Sequence, residues 1–316
     1  MSKTTIKTSN NKFMSMLLNK IIKINGLHSN IYGLPGAAWY QANQILDNYV
    51  NNNQINYIQS SNESSAIYQA SYEAYSYNLK NNQSKVGISF VTAGPGTTMA
   101  LTALGSSLNE SIPMVCFFGV PVVNFQFIDI TIARTVCKYV FYIDNNTVDP
   151  QKIIDKAFQI ALKGIKNNTG MGSVGVFVLD SLWNSTYLYT NFSYPLIVYP
   201  NNNNIIRKMT TKILKSLQST SKIIIRIGER VNIQNLNQLI ELSTLYPNIY
   251  IHLTLHSSNY VNSFNMENVG IEGPLENIYM NAHYQDATHA IDIGQGIENN
   301  SFIYSDVKTL MNTNSN

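Results

Sequence analysis

The chain has 316 residues, a formal net charge of +3 and only 12% charged side chains. That length supports two domains of ordinary size, each with its own apolar core, so neither a disulfide nor a structural metal is needed to hold it together. The thin charge, without any Lys/Arg cluster, argues against a nucleic-acid surface, and the longest apolar run, 112–123, is far short of a bilayer span.

Residues 1–12 are polar with scattered lysines and hold no apolar stretch of signal-peptide length, so the expectation is a cytoplasmic or otherwise intracellular protein with no membrane partner. The excess of Asn, Ile, Tyr and Lys is the codon bias of an AT-rich genome, as in a giant virus or a protist, and says little about chemistry. Asn-x-Ser/Thr triplets at Asn109, Asn184 and Asn191 follow from that excess. Of the two cysteines, Cys116 lies in the apolar run and Cys137 closes a short helical pattern, so both read as small core hydrophobes.

Taken in order, 13–24 repeats apolar positions at helical spacing, and 31–33 is a short strand running into Gly33-Leu34-Pro35-Gly36. A helix is predicted over 37–50, a strand over 55–59, a helix over 63–79 and a strand over 86–92. The turn Gly94-Pro95-Gly96 then leads into a helix over 97–108 and a buried strand over 114–119. Residues 121–136 offer only a short helix near 128–136. An amphipathic helix over 150–166 and an apolar strand over 174–180 close a first domain. Residues 184–204, rich in Tyr, Pro and Asn, read as a linker. A second alternation follows: helix 205–217, strand 222–227, helix 233–245, strand 249–255, helix 275–282 and strand 290–294. Strand and helix alternating with short turns is the pattern of a parallel sheet covered on both faces. The expected organisation is a polar tail 1–12, a first domain 13–183, the linker 184–204, a partial second domain 205–298 and a polar, frayed tail 299–316.

Glu63 and the turn Gly94-Pro95-Gly96 fall at the same edge of the first predicted sheet, where ligands of open α/β folds bind. Each has two readings. Ser60-x-x-Glu63 fits a capping box, in which Glu63 only closes the start of its helix, and Gly94-Pro95-Gly96 fits a tight strand-to-helix turn. Ala66, Ala70 and Ala74 recur every four residues, a face small enough for close approach by a partner helix or by the chain's own sheet. The five histidines (His28, His252, His256, His283, His289) are scattered; His252 and His256 fall in or just after a strand, where an i, i+4 spacing does not converge on a metal. No metal site is predicted.

In order and spacing, Gly33-Leu34-Pro35-Gly36, Asn62-Glu63, Gly94-Pro95-Gly96, Ile112-Pro113-Met114-Val115 and Gly119 resemble the thiamine-diphosphate enzymes of the acetohydroxyacid synthase and 2-oxoacid decarboxylase group. Asn-Glu is the decarboxylase form, whereas Val86 to Gly119 looks more like the synthases. The resemblance implies an α/β protein of two consecutive open parallel-sheet domains, a pyrimidine-binding domain of the thiamine-diphosphate fold and then a Rossmann-like middle domain. It implies that Glu63 hydrogen-bonds N1′ of the aminopyrimidine and favours the imino tautomer, whose 4′-nitrogen removes the thiazolium C2 proton. It implies that Gly33, Pro35, Gly36, Gly94, Pro95 and Gly96 bind cofactor, the glycines letting backbone approach the ring. It also implies a homodimer or hetero-oligomer through the Glu63–Lys80 helix.

The sequence departs from that family in having no Gly-Asp-Gly for a divalent metal and the diphosphate. Phe127 stands where a Phe-Gln-Glu motif starting at Phe125-Gln126 would place its acid. Gly294-x-Gly296 reads as a structural turn, and nothing identifies a FAD site. The expectation is a truncated homologue, inactive alone and serving a structural or binding role. The alternative is a half-enzyme whose thiamine diphosphate is held only when a separate chain supplies the magnesium–diphosphate site, acting on a 2-oxoacid such as pyruvate. A regulatory subunit docking on a full-length homologue is a third.

Overall fold

The computed structural model describes residues 8–81, 85–92, 94–121, 130–164, 170–190, 222–228, 233–253, 269–271, 287–293 and 309–313. The chain divides near residue 197 into two compact units. The first contains β1 (Thr8–Lys12), α1 (Phe13–Asn25), β2 (Ser29–Gly33), α2 (Tyr40–Asn51), β3 (Ile55–Gln59), α3 (Glu63–Lys80) and β4 (Gly87–Thr92), then α4 (Pro95–Asn109), β5 (Met114–Val120), β6 (Tyr139–Ile143), α5 (Pro150–Lys163), β7 (Ser173–Leu179) and β8 (Thr186–Thr190).

Six of these strands form a parallel sheet in the order β3-β2-β4-β5-β7-β6. Its central strands read as unbroken apolar runs because both faces are buried, and their alternation sends successive side chains to different cores. Phe90, Val115, Phe117, Val174 and Val176 point into a core closed by α1, α2 and α5. Val91, Met114, Cys116, Phe118 and Phe177 point into a second, closed by α3 and α4. Phe90 stacks on Phe117 at 5.1 Å in the first, and Phe118 on Phe177 at 4.4 Å in the second. Burying each such ring contributes about 1.5–3 kcal/mol.

Local sequence sets the helix ends. Asp149 accepts a hydrogen bond from the amide of Lys152 at 2.9 Å, Pro150 opens α5 where an amide hydrogen is not needed, and Gly164 ends it with φ +80°. Lys20 of α1 and Asp155 of α5 form a largely buried ion pair on the same face.

Several elements differ from expectation. The 37–50 helix begins as a 3-10 turn over Ala37–Trp39, and the short helix near 128–136 is a 3-10 turn over Ile130–Thr135. Tyr139–Ile143, left unassigned from the sequence, is the edge strand β6; Tyr139 and Tyr142 face solvent while Val140, Phe141 and Ile143 are buried. Thr8–Lys12, inside the expected polar tail, pairs antiparallel with Thr186–Thr190, inside the expected linker. Neither segment has an apolar alternation, so only their mutual backbone pairing makes them strands.

The second unit has β9 (Ile223–Ile227), the helix Ile233–Leu245, β10 (Ile249–Leu253), β11 (Val269–Ile271), β12 (His289–Ile293) and β13 (Thr309–Thr313). Its sheet is parallel throughout, in the order β11-β10-β9-β12-β13. Ile223, Ile225, Ile251 and Leu253 pack with Leu236 of the helix. β13 lies in the stretch expected to be a frayed tail; it is an edge strand that exists through its pairing with β12. The helices predicted over 205–217 and 275–282 lie outside the described residues. Among the described residues no helix is long and apolar enough to cross a membrane.

Candidate functional site

At the carboxyl edge of the first sheet, β2 ends at Gly33 and β4 at Thr92. The Ser60 amide donates to Gly33 O at 2.9 Å, and the Leu34 amide to Phe90 O at 3.1 Å. These bonds tie the loops after β3 and β2 to the strands beside them and bring the start of α3 over the sheet edge.

How α3 starts decides one of the two readings of Glu63. Asn62 caps the helix: its side-chain oxygen accepts from the Ser65 amide at 2.8 Å, and its carbonyl from the Ala66 amide at 3.1 Å. Ser60 does not cap, since its hydroxyl donates to Gln69 Oε1 at 2.6 Å. Its amide, which a capping-box carboxylate would take, already serves Gly33. The capping-box reading therefore fails, and Glu63 is the first helical residue with no capping duty.

Its carboxylate turns instead toward the start of α4. Glu63 is only 7% exposed, and among the described residues none hydrogen-bonds its carboxylate. A Cβ placed on Gly96 would lie 2.7 Å from Glu63 Oε1 and 3.2 Å from Cδ, so the carboxylate fills the space that any other residue at 96 would claim. The positive end of α3 stabilises a carboxylate at this first position.

The other turn residues sort by physical need. Gly94 has φ +84°, a conformation that favours glycine, and caps α4 ahead of Pro95 at its first position. Gly33 and Gly36 are required by packing. A Cβ on Gly33 would meet Phe90 O and Tyr57 Oη, each at 2.7 Å, and one on Gly36 would meet Thr92 Cβ at 2.7 Å. Pro35 and Pro95 are exposed at the same edge. Gly119 on β5 lies against Ala38 O, 2.6 Å from where its Cβ would be. Protein atoms thus already occupy the hollows beside Gly33, Gly36 and Gly96. Among the described residues, the buried hydroxyls Thr97 Oγ1, Tyr57 Oη and Ser181 Oγ of this unit have no hydrogen-bond partner.

Residues 24–126, which contain Glu63 and all six predicted turn residues, match the family described as thiamine pyrophosphate enzyme, N-terminal TPP binding domain. That stretch is an N-terminal domain of the thiamine-pyrophosphate enzyme type. Thiamine pyrophosphate and thiamine diphosphate are the same compound. The chain is 27% identical over 286 residues to the acetolactate synthase large subunit of Buchnera aphidicola subsp. Schizaphis graminum, covering 85% of this chain and 47% of that protein. It is 32% identical over 165 residues to the mitochondrial acetolactate synthase catalytic subunit of Aspergillus candidus, covering 50% of this chain and 22% of that one. With the Haemophilus influenzae acetolactate synthase large subunit the identity is 30% over 209 residues, 63% of this chain and 34% of that one. The chain thus spans about half, or less, of the length of the curated relatives it matches.

In this acetolactate synthase-like N-terminal domain the alanine face of α3 is used internally. Ala66, Ala70 and Ala74 are at most 1% exposed, and a Cβ on Gly87 of β4 would lie 2.6 Å from Ala70 O. The small residues let α3 lie close on its own sheet. Tyr68, Tyr72 and Tyr75 lie elsewhere on the helix, with Tyr72 donating to Glu110 Oε2 at 2.9 Å.

Both thiols of the domain are buried and free. Burial pushes Cys116 well above the usual thiol range, opposed by a hydrogen bond from Ser89 Oγ at 3.3 Å, with a further upward push from the Glu63 charge. Burial likewise raises Cys137 to about 12. Neither is a nucleophile at neutral pH. His252 lies in β10, fully buried, in register with Arg226 of β9. His256, Phe125-Gln126-Phe127 and Gly294-x-Gly296 lie outside the described residues. Thr92 carried no sequence signal, because a threonine closing a strand is ordinary; only its contacts mark it.

Proposed function

We propose that the first domain, residues 13–183, is the pyrimidine half of a thiamine-diphosphate site and that another polypeptide segment contributes the half that binds magnesium and the diphosphate. The observation that carries this reading is Glu63, 7% exposed, with no hydrogen-bond donor among the described residues and no capping duty. A carboxylate that no described residue engages is open to a donor on a ligand. A pyrimidine nitrogen is such a donor in its protonated form, so the residue fits the group its family binds.

Glu63 then holds a proton at N1′ of the aminopyrimidine, and the site's low exposure strengthens that hydrogen bond. Gly33, Pro35, Gly36, Gly94, Pro95 and Gly96 fix the edge on which the ring lies, and the packed glycine hollows keep Glu63 and its neighbours in place. When bound, thiamine diphosphate supplies the electron sink for carbon–carbon bond cleavage or ligation at a 2-oxoacid. By analogy with the acetolactate synthases that it resembles, the substrate class is a 2-oxoacid such as pyruvate.

Without that second half the site is inactive in this reading, because ring contacts alone would leave the cofactor's most negative part unsupported. Residues 205–298 serve as a middle domain. Assembly, as a homodimer or with a separate diphosphate-binding chain, uses the outer side of α3, since its alanine face is already taken.

Calorimetric titration with thiamine diphosphate and magnesium tests the first step. Weak binding that is lost in Glu63→Gln is expected, whereas identical titrations of the two proteins would discard the reading. Addition of a diphosphate-binding fragment from an acetolactate synthase should tighten the binding and yield 2-oxoacid turnover that also needs Glu63.

A further inference from the structure

Thr92 closes β4 two residues before the glycine that caps α4. Its side chain is gripped between two glycines. A Cβ on Gly36 would lie 2.7 Å from Thr92 Cβ and 3.1 Å from Oγ1, and a Cβ on Gly96 would lie 3.1 Å from Cγ2. The hollow at Gly96 that receives this methyl is the one that receives the Glu63 carboxylate, with Oε1 at 2.7 Å.

A carboxylate at the end of three rotatable bonds is ordinarily held by hydrogen bonds, yet none from the described residues reaches Glu63. Among the described residues, packing is what bounds its position. Threonine is stiff at χ1 because two heavy atoms branch from its Cβ, and the backbone at Gly36 leaves it no room to swing away. Its methyl and the carboxylate therefore border the same Cβ position at Gly96, 3.1 Å and 2.7 Å from it. We propose that Thr92 is a positioning residue for Glu63, its Cγ2 methyl, backed by Gly36, setting where the carboxylate stands over Gly96. This rests on the reading of Glu63 as the carboxyl that meets the cofactor. Within that reading it assigns the placement of the proton-holding group to a neighbouring side chain.

Two substitutions separate the methyl from the hydroxyl. Thr92→Val keeps Cγ2 and the branching, whereas Thr92→Ser keeps the hydroxyl and removes Cγ2. The full chain is labelled with carbon-13 at the glutamate carboxyl, and the Glu63 resonance is assigned by its loss in Glu63→Gln. Thr92→Ser should shift the Glu63 resonance, and Thr92→Val should leave it where it is in the parent. Gly36→Ala, whose Cβ would press first on Thr92, should also shift it, which guards against a Thr92→Ser protein that does not fold. A Glu63 resonance that stays put in Thr92→Ser or in Gly36→Ala, or that moves equally in Thr92→Val, overturns the proposal. A lowered melting temperature with an unmoved resonance likewise leaves Thr92 a merely structural residue and overturns it.

Saturating thiamine diphosphate separates this proposal from the reading beneath it. If the parent's Glu63 resonance responds to the cofactor and Thr92→Ser loses the response while Thr92→Val retains it, both stand. A resonance that follows Thr92 but ignores the cofactor overturns the cofactor reading and the purpose assigned to Thr92, while leaving the contact itself established.

Discussion

The carboxylate of Glu63 stands in the space that a side chain at residue 96 would need, 2.7 Å from the position of a Gly96 Cβ. A glycine that opens one helix therefore makes room for the acid that opens another. This relationship gives Gly96→Ala an unusual signature. Alanine is about 0.8–1.0 kcal/mol better than glycine inside a helix, and the atom it meets is the free end of a flexible side chain, which can rotate aside. The opposing cost is tighter packing against Thr92 Cγ2, 3.1 Å from the new Cβ. We expect urea unfolding of Gly96→Ala to differ from the parent by less than about 1 kcal/mol, while the calorimetric response to thiamine diphosphate is lost. A large loss of stability with the response intact would contradict the contact.

Gly119→Ala should behave in the opposite way. Its Cβ would meet backbone, Ala38 O at 2.6 Å and Ala38 C at 2.8 Å, and backbone inside a packed sheet edge cannot rotate away. Overpacking of this kind costs about 1–3 kcal/mol. The same Ala38 carbonyl accepts from Trp183 Nε1 at 3.1 Å, so the displacement also disturbs a buried hydrogen bond. The urea midpoint should fall clearly below that of Gly96→Ala in a side-by-side unfolding series.

Much of the fold was legible because burial on both faces writes continuous apolar runs into β4, β5 and β7, and glycine or proline marks the turns between them. β1 and β8 were hidden for a physical reason: β1 is wholly polar and neither strand alternates apolar with polar residues, so strands that exist by pairing with each other leave no local pattern. β6 was missed because a short edge strand carries two exposed tyrosines and no turn signal before it. At the candidate site, Glu63 and the glycines were legible as residue types at known spacings, but their neighbours were not. That Asn62 rather than Ser60 caps α3, and that Thr92 fills the space between Gly36 and Gly96, are facts of side-chain direction that spacing does not contain.

The cap assignment is itself open to test. Asn62→Ala removes the acceptor for the Ser65 amide and should cost about 1 kcal/mol. Ser60→Ala removes only the hydroxyl that reaches Gln69, while its amide still donates to Gly33 O. A neutral hydrogen bond of that kind is worth about 0.5–1.5 kcal/mol at most when partly exposed. Helix capping therefore predicts that Asn62→Asp, which preserves the acceptor, recovers the stability lost in Asn62→Ala. A capping box at Ser60 predicts no such recovery, and comparison of the three urea midpoints decides between them.

The buried thiols predict how the fold responds to alkali. Burial raises Cys137 from 9.0 to about 12 in the folded chain, and it raises Tyr32 from 10.0 to about 12, helped by the adjacent Glu73. Unfolding returns both groups to their ordinary values, so between pH 9 and 12 the unfolded chain has released the Cys137 proton while the folded chain still holds it. The unfolded state then binds fewer protons than the folded state, and stability falls as pH rises through that window. Below pH 9 the Cys137 thiol is protonated in both states and contributes no slope. Unfolding free energies measured by urea at a series of alkaline pH values should therefore decline above pH 9, and Cys137→Ala should flatten part of that decline despite its cavity cost at neutral pH. In the folded parent a disulfide-exchange reagent at pH 8 should label neither Cys116 nor Cys137, and both should react once urea opens the domain, because thiolate and access are lacking together.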